Sequence, residues 1–341
     1  MPVFLFLYPL KIGVIGCGAV GIFYGARLCR SGEDVHFLLR SDFEIVRQRG
    51  VHVQSPEGDF HASPKCTSDP VQIGACDLVI VSLKTTANAE FPRLLSPLVG
   101  SNTALLTLQN GLGNEEELAS IFGANKVLGG LCFVCLNRTA PGIVQHMAHG
   151  HIHLGEFKRA PSPRTHTIAN LFRNAGIPVS LVDRLDVAHW EKLVWNIPFN
   201  GLSVASSVGW QGLESGTWDG VTRLKCLSTD QLLDDKRWFA TVRALMREVI
   251  LIANSLDLKL DDGLIEDHLL KTRNMGNYRP STLVDFEMGR EIERVLLFQR
   301  PLDHARRHGI PTPWLERLCK VLDQLTQPLC IQNKTMIRSD G

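Results

Sequence analysis

The chain has 341 residues, 44% hydrophobic and 21% charged, a globular make-up that excludes a disordered chain and a disulfide-dense miniprotein. At roughly 100–200 residues per domain, this length predicts two domains. Its 36 basic and 35 acidic residues leave a formal net charge of +1, so no overall field draws it to nucleic acid or to an anionic membrane.

The first ten residues are apolar but short and lack a basic n-region, and they read as an extension of the fold rather than a signal peptide. Residues 11–16 form a buried strand, and a helix follows from 19 to about 31. Between them, Gly16-Cys17-Gly18-Ala19-Val20-Gly21 matches G-x-G-x-x-G. The motif alone is weak among 29 glycines, and a strand–turn–helix corner that binds nothing would also carry it. Its setting, strand before and helix after, favours dinucleotide binding. There Gly16 permits the turn, Gly18 lets a pyrophosphate approach the backbone, and Gly21 lets helix and strand pack closely.

A second strand over 34–39 ends at Arg40, where an NAD site would place an acid on the ribose 2′-hydroxyl. A guanidinium there favours the 2′-phosphate of NADP; Asp42, two residues on, keeps NAD open, and a solvated loop charge is the plainer alternative. A third strand over 77–83 is followed by Lys84, and a fourth over 104–108 by Gln109 and Asn110. Ligands of open α/β sheets lie outside such strand ends. Lys84 is placed to reach a cofactor phosphate or a substrate anion, and Asn110 the nicotinamide ribose or the substrate; each taken singly is as readily a turn residue.

A fifth strand covers 127–134, and Cys132 and Cys135 make a C-x-x-C in the apolar run 131–135. No second pair stands at zinc spacing, so both read as small buried hydrophobes and no metal site is expected. Nine cysteines, an odd number, fit a reducing, cytoplasmic location. Residues 151–154 and 178–182 are further candidate strands. Short apolar runs alternating with helices predict a Rossmann-type α/β domain with a mostly parallel sheet. No stretch of 18 apolar residues is present, so no membrane span is expected.

Helices dominate after about residue 186, over 187–206, 237–256 and 283–308, which predicts domains at 1–185 and 186–326 and a loose tail at 327–341. On the first of these helices Lys192, Asn196 and Asn200 share one face at i, i+4 and i+8. Buried asparagines need hydrogen-bond partners, so the row suits either a polar substrate or a solvent-facing stripe. Pro198 lies inside the run, where a kink is expected.

These blocks together resemble the ketopantoate reductase (2-dehydropantoate 2-reductase) family over about residues 11–325. The resemblance rests on residues 11–21, Leu39-Arg40, Ser82-Leu83-Lys84-Thr85, Gln109-Asn110-Gly111-Leu112-Gly113, Lys192-Leu193-Val194-Trp195-Asn196 with Asn200, Pro280-Ser281-Thr282-Leu283-Val284-Asp285, and Gly289-Arg290. It implies an N-terminal Rossmann domain and an all-helical C-terminal domain like that of the 6-phosphogluconate dehydrogenase group, with the active site between them. It implies NADPH-dependent reduction of 2-dehydropantoate to (R)-pantoate in pantothenate synthesis. The resemblance makes Lys192 the catalytic lysine and Glu293 the substrate-binding acid. Asn110, Asn196, Asn200 and Ser281 would contact substrate, and Arg40 and Lys84 would face the 2′-phosphate. A two-residue shift after Gly289-Arg290 would select Glu291 instead of Glu293, and residues 208–238 carry no clear family pattern. A reductase of another branched 2-keto acid, or a non-catalytic NADPH-binding regulator, are the competing readings; homodimer formation is left open.

Overall fold

The structure is a computed structural model and describes residues 9–327; the apolar start and most of the tail expected to be loose lie outside the described residues. It forms two compact units, Met1–Leu193 with Leu256–Leu260, and Val194–Ser255 with Asp261–Gly341. The division falls inside the helix Leu185–Ala205, eight residues beyond the position where the composition changes. The change in texture marks where that helix begins, and the helix runs unbroken past it.

The first unit is built on one ten-stranded sheet. Its strands are β1 (Lys11–Ile15), β2 (Asp34–Leu38), β3 (Val51–Gln54), β4 (Phe60–Ala62), β5 (Lys65–Thr67), β6 (Cys76–Val81), β7 (Val99–Thr107), β8 (Val127–Ala140), β9 (Ile143–Glu156) and β10 (Val179–Leu181). They lie in the order β4-β3-β9-β8-β7-β6-β1-β2-β5, with β10 on β9. Every pairing is parallel except β3–β4 and β8–β9. β1 and β6 are buried on both faces, as strands covered by helices on each side must be. Alternate residues feed two cores: Ile12, Val14, Leu78 and Ile80 join one cluster, and Ile15, Val79 and Val81 the other.

Two expectations lengthen into one feature. The strands read at 127–134 and 151–154 are parts of a 14-residue-per-arm hairpin, β8–β9, that turns at Gly142 (φ 69°). Its outer half holds Asn137, Arg138, His146 and His149, so no apolar run announces it.

The described residues of the second unit form helices and no strands: after Val194 come Gly209–Ser215, Thr229–Asp234, Lys236–Ser255, Gly263–Arg273, Ser281–Glu287, Arg300–Arg307 and Pro313–Thr326. A helix continues through Pro198. A Cβ on Gly201 would lie 2.6 Å from Leu318 and 2.9 Å from Phe298, so glycine there permits close helix packing. The single helix read over 283–308 is corrected. Its first part stops at Glu287, Gly289 takes φ 65°, and Arg290 N–H closes the end on the Asp285 carbonyl at 2.8 Å. A left-handed glycine with this bond is a helix-terminating motif. Residues 290–293 therefore lie outside any helix, and a π turn follows at Val295–Gln299.

Candidate active site

The glycine turn lies at the carboxyl end of β1. Gly16 has φ 102°, and a Cβ there would stand 2.2 Å from the Leu83 backbone nitrogen. A Cβ on Gly21 would stand 2.4 Å from the Gly16 carbonyl oxygen and 2.5 Å from Ser82 Oγ. Ser82 Oγ donates to that same carbonyl at 2.8 Å, tying the end of β6 to the turn. Gly18 differs: its backbone is extended and a Cβ would meet nothing within 4 Å. Protein atoms give no reason for a glycine at 18, whereas a phosphate approaching that backbone does. Gly18 caps the helix Ala19–Arg30, which has no side-chain cap and no acid in its first turn. The first-turn amides at Ala19, Val20 and Gly21 are thus left for an anion. The turn fits a dinucleotide.

Arg40, past the end of β2, is exposed, and its side chain has no hydrogen bond or ion pair among the described residues. Asp42 is buried: its Oδ1 accepts from Arg138 Nη2 at 3.0 Å and from Ser41 Oγ at 3.0 Å, while its Oδ2 has no partner among the described residues. Arg138, from the outer hairpin, was not legible in sequence, because 96 residues separate the pair. Lys84 stands half-buried after β6. Burial pushes the Cys17 thiol up well above its ordinary value, so it stays neutral beside the turn.

Asn110 and Lys192 meet: Lys192 Nζ donates to Asn110 Oδ1 at 2.9 Å. The Asn110 loop is held from below by buried amides. Asn114 Nδ2 donates to the Asn110 carbonyl at 3.0 Å, Asn88 Nδ2 donates to Asn114 Oδ1 at 3.0 Å, and Gln109 Nε2 donates to Asn88 Oδ1 at 2.8 Å. Lys192 is half-buried, its ammonium 5.4 Å from the Phe133 ring centroid. Phe133 stacks on His151 at 4.7 Å and lies against His153 at 4.8 Å. The helix bearing Lys192 starts on paired glycines of β8 and β9, Gly129 and Gly155; a Cβ on Gly129 would stand 2.7 Å from Leu185, and one on Gly155 would stand 2.8 Å from Val182 and 3.2 Å from Leu185. Sequence reading missed Asn88, Asn114, Phe133 and this glycine pair; glycines at opposed positions of two apolar strands were the available signal.

In the second unit Asn196 and Asn200 are buried. Asn200 Oδ1 accepts from the Thr282 backbone N–H at 3.1 Å and from Ser281 Oγ at 3.5 Å, so it caps the helix Ser281–Glu287 and brings Ser281 to the Lys192 helix's second half. Its Nδ2 stays a donor. Glu293 is half-buried and Glu291 exposed, both on the non-helical stretch after Gly289. Among the described residues no three acids, histidines or cysteines are grouped to hold a metal, and no helix is long and apolar enough to cross a membrane.

The fold and the residues at the ends of β1, β6 and β7 define an oxidoreductase built on a nicotinamide-dinucleotide unit. The model of the family described as ketopantoate reductase PanE/ApbA matches residues 12–159, and that of its C-terminal domain matches 184–326. The chain belongs to the ketopantoate reductase family. It is similar to a 2-dehydropantoate 2-reductase of Nostoc sp., 38% identical over 314 residues, covering 90% of this chain and 92% of that one. It is also similar to the crystal structure of a 2-dehydropantoate 2-reductase from Geobacter metallireducens: TM-score 0.85, 43% identity, covering 93% of this chain and 100% of that one. The ternary structure of a D-mandelate dehydrogenase with NADH and anilino(oxo)acetate shares the fold at TM-score 0.81 and 18% identity, covering 93% and 98%.

Proposed function

We propose that this enzyme reduces 2-dehydropantoate to (R)-pantoate with NADPH, and that it works in the cytoplasm. The observation that carries the reading is Lys192 Nζ held on Asn110 Oδ1 at 2.9 Å, at the end of β7 in a dinucleotide-binding unit. Two relatives that cover nearly all of the chain and bear the name 2-dehydropantoate 2-reductase support the substrate. Support for NADP comes from Arg40, whose exposed side chain has no partner among the described residues, and from Asp42, which is buried and paired with Arg138 through one carboxylate oxygen. None of the eight described cysteines is in a disulfide, which supports a reducing compartment.

The nicotinamide, when bound, supplies hydride. Gly16, Gly18, Ala19, Val20 and Gly21 would hold its pyrophosphate, and Arg40 with Lys84 the 2′-phosphate. Lys192 places positive charge where the ketone oxygen becomes negative, and gives that oxygen its proton. Asn110 fixes the ammonium. Asn196, the Asn200 amide and Ser281 bind the substrate's polar groups without adding charge. Glu293 accepts a hydrogen bond from the substrate's hydroxyl; its half-burial, against the exposure of Glu291, supports that choice. A site built around that hydroxyl rejects analogues without it far more strongly than a methylene difference could. The test is a panel of branched and aromatic 2-keto acids with NADPH and NADH. The highest kcat/KM is expected for 2-dehydropantoate with NADPH; a higher value for an acid lacking the hydroxyl would overturn the substrate.

A further inference from the structure

We propose that Glu115 and His189 form a positioning couple that fixes Lys192 against Asn110 for turnover; this rests on Lys192 being the proton donor. His189 Nε2 lies 2.9 Å from Glu115 Oε1, across 74 residues of chain. Both side chains are almost wholly removed from solvent, 12% and 4% exposed.

The couple joins the two elements that must stay in register. Glu115 opens the helix Asn114–Phe122, whose first residue, Asn114, holds the Asn110 carbonyl. His189 stands one helical turn before Lys192 on the helix Leu185–Ala205. One contact therefore braces the acceptor's loop to the donor's helix, one turn behind the Lys192–Asn110 bond.

The space for it is built. A Cβ on Gly129 would lie 2.5 Å from Glu115 Oε1 and 2.7 Å from Leu185, so the glycine leaves room for the carboxylate and for the helix together. A buried carboxylate is costly unless paired, which makes His189 the group that settles Glu115 in that space. Burial works against a charged imidazole here, but the Glu115 carboxylate, with Glu116 on the same helix, raises His189 above its ordinary value despite the opposing Lys192 ammonium. The imidazole is thus held as a donor toward Glu115.

Neither residue needs to touch substrate for this role. Its expected signature is a loss in kcat with cofactor binding intact, since displacing a reacting group by about an ångström costs about a hundredfold. The test compares His189→Leu, which has no donor, with His189→Gln, whose amide can donate to Glu115. For each, kcat and KM for 2-dehydropantoate are measured, with the NADPH Kd from fluorescence titration. His189→Leu is expected to lower kcat about tenfold to a hundredfold with Kd changed less than about threefold, and His189→Gln to recover most of the loss. Should His189→Leu not fold, the double variant Glu115→Leu/His189→Leu carries the same expectation, because removing both partners leaves no buried group unpaired. A kcat within about threefold of the unaltered enzyme in the donor-less variant, or an equal loss in His189→Gln, overturns the couple. Lys192→Ala separates the two levels. If it keeps turnover, the reading of Lys192 fails; if it loses turnover while the donor-less variant keeps it, only the couple fails.

Discussion

Arg40 and Asp42 sit two positions apart and face different fates: the side chain of one is exposed with no partner among the described residues, the other is buried and paired with Arg138. That contrast decides cofactor choice in the proposed reading. Arg40→Ala is expected to weaken NADPH binding about tenfold or more, as loss of a charge-assisted phosphate contact does, while NADH binding stays within about threefold; titration of both cofactors checks it, and equal weakening would remove Arg40 from the 2′-phosphate. Gly21→Val puts a side chain into the Gly16 carbonyl oxygen, so it is expected to abolish binding of either dinucleotide, measured by the same titration. Arg40, the glycines and the Lys192–Asn196–Asn200 row were readable because each is a local pattern. Arg138 and the Glu115–His189 contact were not. Glu115 reads as an ordinary acid in a helix's first turn, favoured there by the dipole, and only the folded hairpin shows what it faces.

At the scale of elements, two buried glutamates give opposite pH signatures. Glu156 ends β9 and accepts from Arg164, Thr165, Ser162 and Arg159. Burial alone would raise its pKa, but these bonds hold it down at about 2, against an ordinary 4.5. Its contribution is present above pH 4.5 and is lost as pH falls toward 2, about 3 kcal/mol in all. Urea unfolding between pH 7 and pH 3 should show Glu156→Gln less stable than the unaltered chain at pH 7, by about 2–3 kcal/mol, with the gap closing in acid. Glu248, on the helix Lys236–Ser255, accepts from the Trp314 and Leu315 amides at 2.9 and 2.8 Å, capping the helix Pro313–Thr326. Burial, outweighing those two bonds, pushes it up to about 6. The folded chain binds its proton more readily than the unfolded one, so stability falls as pH rises from about 4.5 to about 6. In the same unfolding series Glu248→Gln is expected to lack that fall. The long apolar strands and the helices over 19–31 and 237–256 were legible because their periodicity is strong. β3, β4 and β5 are three or four residues long, too short for a pattern. The break at Gly289 was hidden because helical spacing resumes on both sides of it.

For the whole molecule, the change from alternating strands to helices was plain in the sequence, and the two family models match residues 12–159 and 184–326. The limit between compact units was not, because a continuous helix crosses it at Leu193. The placing of Lys192 in the front unit, bonded to Asn110, puts the proposed proton donor and the glycine turn in one compact unit. Single turnover reads that proposal most directly: enzyme preloaded with NADPH is mixed with 2-dehydropantoate, and NADPH oxidation is followed in the unaltered chain and in Lys192→Ala. One equivalent oxidised to (R)-pantoate in the first, and a rate lower by about 10²–10⁴ in a variant that still binds NADPH, is the expected result. Equal rates in the two, or no oxidation in the unaltered chain, would contradict it.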